Sequence, residues 1–331
     1  MTENHSPQFS LISPTFGRPE EVQEFLESIL AIQHSSFELI LADGTPKDTL
    51  RPAIQAWIDR SEGRVKVLYK EFLPVSDARN LAASHAKGEY LIFLDSDCLI
   101  PKDYLLKVEH FLKEQEVDLF GGPDAADADF TPLQKAISYS MTSFLTTGGI
   151  RGGKKSTTSY QPRGFNMGIR KAAFEQVHGY DESLKCGEDV DLSIRLQASG
   201  FRSAFIPEAV VYHKRRTSLK KFFRQVYRFG AARIDLAKRH PGQLKVTHLF
   251  PLLFSAYGLL AIGLFAVGFP IFLQALGLYL TAIFLHSGVQ LKSPVLGLLS
   301  VLTSLTMFSG YGWGLLRNAV HHGLYRRGLD L

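Results

Sequence analysis

Between Lys245 and Lys292 the chain carries no Asp, Glu, Lys or Arg. At about 1.5 Å per residue this uncharged run would make about 69 Å of helix, roughly twice the ~30 Å hydrocarbon core of a bilayer. A single straight span is therefore excluded, and Gly268-Phe269-Pro270 supplies a break. Candidate spans fall at 249–268, 271–289 and 294–316, about three hydrophobic helices in a region bounded at 246–316. The competing reading is a buried helical hairpin in a soluble protein, but soluble cores seldom need successive uncharged stretches of this length.

The rest of the charge is placed with the same economy. Of 331 residues with a net charge of +5, the positive ones crowd between 214 and 245, just before the hydrophobic region. That position favours an anionic membrane face over nucleic acid as partner. Residues 217–245 read as an amphipathic interfacial helix, with Leu219, Phe222, Phe223, Val226, Tyr227, Gly230 and Ile234 at helical spacing among Lys220, Lys221, Arg224, Arg228 and Arg233. A helix packed on the catalytic domain with a solvated basic face is the alternative. The tail at 317–331 is basic as well. Because Arg317, Arg326, Arg327 and the segment before Leu249 all prefer the cytosolic side, three full crossings cannot satisfy them. Either one segment is re-entrant or interfacial, or the charge rule fails here. Cys98 and Cys186 offer neither a disulfide framework nor zinc spacing, so a reducing compartment is expected. Residues 1–8 are polar, and no secretory signal is expected.

Through the first 120 residues short apolar runs alternate with helical patterns, which predicts an α/β domain over 1–216 with a mostly parallel, doubly wound sheet. Strands are expected at 9–14, 37–42, 65–69 and 90–94. Helices are expected from about Glu20 (Val22, Phe25, Leu26 and Ile29 on one face), around Ile54, Trp57 and Ile58, and over 76–86 with a Ser or Asp cap. Ligands of open α/β sheets bind at the carboxyl ends of strands, so Pro14-Thr15, Asp43 and Asp95-Ser96-Asp97 should share one crevice. The Gly-, Lys-, Ser- and Thr-rich stretch 146–159 reads as a loop and, with 163–166, as part of an acceptor pocket.

Asp95-x-Asp97 follows a fully apolar strand. Two carboxylates at such a turn can face a diphosphate through a hard divalent cation, Mg²⁺ or Mn²⁺. An isolated pair of this kind is more often a solvated turn or a cap. Here it is one of a series: Asp77-Ala-Arg79-Asn80, Lys87-Gly-Glu-Tyr90 leading to Asp95-Ser-Asp97, Arg163-Gly-Phe-Asn166-Met-Gly168, Gly179-Tyr-Asp181-Glu182 and Gly187-Glu188-Asp189-Val-Asp-Leu-Ser-Ile-Arg195. With the opening Ser13-Pro14-Thr15-Phe-Gly-Arg18, the series resembles the inverting family 2 glycosyltransferases of the GT-A fold, bacterial type with a C-terminal transmembrane region, over residues 9–230.

The resemblance implies a nucleotide-sugar donor and direct displacement at the anomeric carbon, with Asp189 as the base that deprotonates the acceptor. It implies metal contacts from Asp95, Asp97 and His213, and nucleotide contacts from Pro14, Thr15, Arg18, Asp43, Arg79, Asp95 and Ser96. Glu188, Asn166, Gln225 and Arg228 would touch acceptor or diphosphate; Gln225-Val-Tyr-Arg228-Phe229 is similar to the Q-x-x-R-W element of processive synthases, with Phe for Trp. After the second strand the family reads Asp-x-Gly-Ser where this chain has Ala42-Asp43-Gly44-Thr45; a UDP-sugar remains the expected donor, with GDP as the alternative. The residues alone allow simpler roles: Glu188-Asp189 as an acidic first helical turn favoured by the macrodipole, His213 as a satisfied polar residue.

The expected function is transfer of a sugar to a lipid-linked or surface-glycan acceptor at the bacterial cytoplasmic membrane, with membrane lipids as partners and polysaccharide biosynthesis as context. Nucleotidyl or phosphoryl transfer is the rival enzyme class, although no G-x-x-x-x-G-K-[ST] loop is present. An inactive nucleotide-sugar-binding scaffold is the non-enzymatic rival.

Overall fold

The computed structural model describes residues 7–125, 130–148 and 160–325. Its elements run β1 (Phe9–Thr15), α1 (Pro19–Leu30), β2 (Phe37–Asp43), α2 (Leu50–Arg60), β3 (Val65–Tyr69), α3 (Val75–His85), β4 (Tyr90–Leu94), β5 (Cys98–Leu99), α4 (Tyr104–Glu114), β6 (Leu119–Gly121), β7 (Asp124–Ala125), α5 (Pro132–Thr142), α6 (Phe144–Thr147), β8 (Asn166–Arg170), α7 (Lys171–Gln176), α8 (Glu188–Ala198), β9 (Ser203–Phe205), β10 (Val211–His213), α9 (Leu219–Arg239), α10 (Phe250–Ala266), α11 (Ile271–Gln290) and α12 (Pro294–Tyr325). They form two compact units: Met1–Ala125 with Gly153–His213, and Ala126–Gly152 with Lys214–Leu331.

The first unit is built on a seven-stranded sheet of order β3-β2-β1-β4-β8-β6-β9. Strands β3, β2, β1 and β4 are mutually parallel, and β6 is parallel to β9, whereas β8 runs antiparallel to both its neighbours. Because side chains alternate across a strand, Phe9, Leu11, Leu39, Leu41, Ile92 and Leu94 pack on α1, α2 and α4. Ile12, Ile40, Ala42, Leu91 and Phe93 face the other way onto α3, α7 and α8. Both faces are covered, which is why these strands read as unbroken apolar runs. Each fully buried Leu, Ile or Phe contributes about 1.5–3 kcal/mol.

The expected α3 cap needs correction. Pro74, extended at φ −64° and ψ 159°, holds the cap position without a side-chain bond, so the helix starts at Val75 and Ser76 lies buried in its first turn.

A second, three-stranded sheet of order β5-β10-β7 sits in the same unit. Its register sets His213 opposite Cys98, and so beside Asp97.

The second unit joins α5 and α6 to α9–α12. Ile137, Met141, Phe222, Val226, Met307 and Phe308 make its core, so the apolar face of α9 is covered by α5 and α12. Gly230 allows this approach: a Cβ there would lie 2.0 Å from the Tyr311 carbonyl oxygen, and one at Gly314 would lie 2.0 Å from that of Tyr227. The three expected hydrophobic stretches are three helices, of which α11 and α12 are long and apolar enough to cross a membrane and α10, at 17 residues, is shorter. The α12 helix continues to Tyr325, through part of the expected basic tail, while Arg326, Arg327 and residues 149–159 of the expected loop lie outside the described residues.

Candidate active site

Parallel neighbours β1, β2 and β4 deliver Thr15, Asp43 and Asp95 to the same edge of the sheet. Asp43 is fully buried. Its Oδ1 accepts from Thr15 Oγ1 (3.0 Å), Thr45 N–H (3.1 Å) and Thr45 Oγ1 (2.6 Å), and its buried Oδ2 has no hydrogen-bond partner. Thr45 also accepts from the Gly17 N–H at 2.7 Å, tying the turn after β1 to the turn after β2. Pro14, paired with Ala42 inside β1, leads into that turn.

Arg79, 3% exposed on α3, is the hub. Its Nη1 donates to Glu188 Oε1 (2.8 Å) and its Nη2 to Asp95 Oδ1 (2.9 Å), joining β4 to the first turn of α8. Its guanidinium lies 5.2 Å from the Tyr180 ring centre. Burial works against the Arg79 charge, but Tyr180 and the carboxylates of Asp95, Glu188 and Asp189 outweigh it and hold the group protonated. Glu188 is pushed above the usual carboxylate range by burial and by the neighbouring Asp189, with Arg79 pulling the other way.

Gly187, at φ 82°, turns the chain into α8 and sets Glu188 and Asp189 in its first turn. Asp189 Oδ2 accepts the Gly164 N–H (3.0 Å) and its Oδ1 the Val190 N–H (2.8 Å), so among the described residues it is backbone that orients this carboxylate. Gly164 is needed for a second reason: a Cβ there would sit 2.6 Å from Arg79 Nη2.

Asp97 and Ser96 are buried after β4. His213 Nε2 lies 3.2 Å from Asp97 Oδ1, Arg18 Nη1 lies 3.6 Å from Asp97 Oδ2, and the His213 ring stacks on Phe165 with centres 5.0 Å apart. Ligand atoms of Asp97, Cys98 and His213 fall within 4.8 Å of one another. Burial first, then Asp97 and Asp95, push the Cys98 thiol well above its usual range, and its soft sulfur is a poor match for a hard cation. Carboxylate oxygen and imidazole nitrogen remain, and that donor pair fits Mg²⁺ or Mn²⁺ whose other positions are filled by phosphate and water. Asp95 is held by Arg79 rather than gathered into this group.

Of the other expected contacts, Asn166 is fully buried, with Tyr104 O–H donating to its Oδ1 (2.6 Å) and its Nδ2 donating to the Ala209 carbonyl (2.8 Å). Gln225 and Arg228 lie on α9 in the second unit, half-buried and exposed. Thr45 and Tyr180 went unassigned in the sequence, and Gly164 and Phe165 were expected only as part of an acceptor pocket, although Gly164, Phe165 and Tyr180 stand inside the motifs that carried the resemblance.

A family profile described as Glycosyl transferase family 2 matches residues 10–177. A glycosyltransferase named for teichuronic acid biosynthesis, TuaG of Bacillus subtilis, is 32% identical over 136 residues, 40% of this chain and 54% of that protein. Succinoglycan biosynthesis protein ExoA of Rhizobium meliloti is 24% identical over 250 residues, 73% of this chain and 74% of ExoA. Thus the chain spans about half of one relative and three quarters of the other. Among solved structures, the mannosyltransferase PcManGT of Pyrobaculum calidifontis, in complex with GDP-Man and Mn²⁺, superposes with a TM-score of 0.61 at 17% identity over 96% of this chain and 88% of PcManGT.

Proposed function

Because the chain belongs to glycosyl transferase family 2, we propose that it is a membrane-associated, inverting enzyme that moves a sugar from a nucleotide-sugar to a lipid-linked or surface-glycan acceptor. The observation that carries this reading is the division of labour between two adjacent acids. Glu188 is half-buried and ion-paired to Arg79, while Asp189 is oriented, among the described residues, by backbone N–H groups and keeps its remaining lone pairs for a substrate.

In this reading Asp189 takes the proton from the acceptor hydroxyl as that oxygen attacks the anomeric carbon. The bond to the diphosphate breaks on the opposite side, and the anomeric configuration inverts. Glu188 and Arg79 fix the first turn of α8 so that the base does not wander, since misplacement by an ångström is costly in rate. The unsatisfied Asp43 Oδ2 marks this carboxylate as the group that receives an N–H or O–H of the nucleoside. Thr15, Pro14, Arg18 and Ser96 complete the nucleotide contacts. Asn166 is framework. Asp97 and His213 would hold the divalent cation, with Asp95 behind them on Arg79; when bound, the cation neutralises charge on the leaving diphosphate.

The deciding experiment screens UDP- and GDP-sugars with Mn²⁺ or Mg²⁺ against membrane lipid extract. A glycosylated lipid with release of nucleoside diphosphate is expected; pyrophosphate release would indicate nucleotidyl transfer, and no product with any donor would indicate a binding scaffold. Asp189→Asn should lower kcat by about 10²–10⁴, with donor binding kept in isothermal titration; unchanged turnover would remove Asp189 from the role of base.

A further inference from the structure

Resting on the membrane-associated reading above, we infer that the second unit is a one-sided anchor: α12 lies along the bilayer surface, α10 and α11 stand on it as a re-entrant hairpin, and no segment emerges on the far side. By hydropathy alone α12 could cross. Its neighbours forbid that. The α9 helix runs alongside the second half of α12 and parallel to it, through Arg317 Nη1 to Tyr227 O–H (2.8 Å), Asn318 Nδ2 to the Ala231 carbonyl (2.7 Å) and His322 Nε2 to Asp235 Oδ1 (2.9 Å). Lys220, Lys221, Arg224 and Arg228 on α9 are exposed to solvent. A helix bearing this basic face belongs among headgroups, so the part of α12 beside it lies there too. Before that contact α12 has about 16 residues, about 24 Å, less than the ~30 Å needed to cross.

One exposed face of α12 is mostly apolar, interrupted by Ser309 and flanked near its end by exposed Arg317 and His321. Val295, Leu298, Leu302, Trp313, Leu316 and Val320 recur at helical spacing over about 38 Å. Such a stripe is longer than the hydrocarbon is thick, as expected of a helix lying in the interface plane.

The hairpin is rooted on α12 at both legs. At one, Phe250 and Phe254 pack on Phe308 with ring centres 5.5 and 4.6 Å apart, and a Cβ at Gly312 would lie 2.9 Å from Leu252 Cα. At the other, a Cβ at Gly297 would lie 2.8 Å from the Phe284 carbonyl oxygen. The legs meet antiparallel through Tyr257 O–H to the Phe272 carbonyl (2.9 Å) and Phe254 against Tyr279 (5.5 Å). The two lysines that bracket the uncharged run, Lys245 and Lys292, stand at this base, and the opposite tip exposes Val267, Phe269 and Ile271 with no charge at all. An apolar tip and a charged base fit a hairpin pushed in from one face. They also place Arg317 on the face from which the chain enters, which an odd number of crossings cannot do.

Membrane-impermeant maleimide labelling of full-length chains with single added cysteines, in sealed vesicles of both orientations and read peptide by peptide by mass spectrometry, tests this. Gln55→Cys on α2 marks the face that carries the first unit. Ser293→Cys at the base and His321→Cys near the end of α12 should label only in the orientation that labels Gln55→Cys, and Phe269→Cys at the tip should label in neither until detergent is added. Labelling of His321→Cys from the opposite face means an odd number of crossings and overturns the inference; so does labelling of Ser293→Cys or Phe269→Cys from that face. Protection of position 293 or 321 in both orientations overturns it as well. A chain found wholly in the soluble fraction would instead remove the membrane-associated reading, separating that failure from this one.

Discussion

Arg79 is the residue on which the candidate site is built, because one buried guanidinium holds two acids that are 16 and 109 positions away from it. Removing one partner of a buried ion pair costs about 3–5 kcal/mol, and Arg79→Met would strand two. Because the stranded Asp95 and Glu188 side chains are 34% and 13% exposed, chemical denaturation should show a smaller loss, about 1–3 kcal/mol, with Asp189→Asn far closer to wild type. Glu188 gives a pH signature. Its folded-state affinity for a proton is raised above the ordinary glutamate value of 4.5, so the folded chain binds more protons than the unfolded one in the window above 4.5. Wild-type stability therefore falls as pH rises through that window. Glu188→Gln lacks this slope, and its melting temperature should gain on wild type from acid toward neutral pH; parallel curves would refute the assignment. The places of Asp95, Asp97, Asp189 and His213 at the ends of elements were legible because each ends or begins an apolar run. That Asp95 faces Arg79 while Asp97 faces His213 was not, since two residues two apart at a turn part company only when the fold supplies their partners.

Elements were legible wherever hydrophobic period and partner coincide. The α1 face Val22, Phe25, Leu26 and Ile29 is buried as its spacing requires. For α9 the same arithmetic found the apolar face and assigned it to lipid, yet α5 and α12 cover it; periodicity identifies a face to be buried without naming what buries it. The glycines inside α12 carried that missing information. Gly310, Gly312 and Gly314 all approach other helices closely, Gly314 most of all, because there a side chain would collide with backbone that cannot swing away. Gly314→Leu should separate α9 from α12 and lower the melting temperature in detergent, with a cost above the usual 1–3 kcal/mol of overpacking. Gly263→Leu, where a side chain meets open space, should be nearly neutral and serves as the control.

At the scale of the whole molecule, the sequence divides at residue 216 and the structure divides elsewhere. Residues 126–152 fall within the stretch matched by the family profile but fold with the hydrophobic unit. No composition shift marks this, since Pro132–Thr142 reads as an ordinary helix of an α/β domain. Its side chains show where it belongs: Ser140 Oγ meets Thr303 Oγ1 (2.6 Å) and Ser304 Oγ (3.1 Å), Tyr139 O–H meets His286 Nδ1 (2.8 Å), and Tyr279 O–H bonds the Leu145 carbonyl. Exchanging residues 214–331 alone for the corresponding region of a relative should give a chain that expresses poorly and aggregates, because those polar partners are lost inside an apolar setting. Exchanging 126–152 together with 214–331 should restore a monodisperse detergent-solubilised protein, and equal behaviour of the two chimaeras would refute this coupling.

Three covalent passages between the units, at 125/126, 152/153 and 213/214, therefore bear on inheritance as much as on folding. A tail joined by one passage can be traded between genes as a cassette by a single recombination. One that has also claimed an internal segment of the head cannot, so in this chain the two units must diversify together, substitution by substitution.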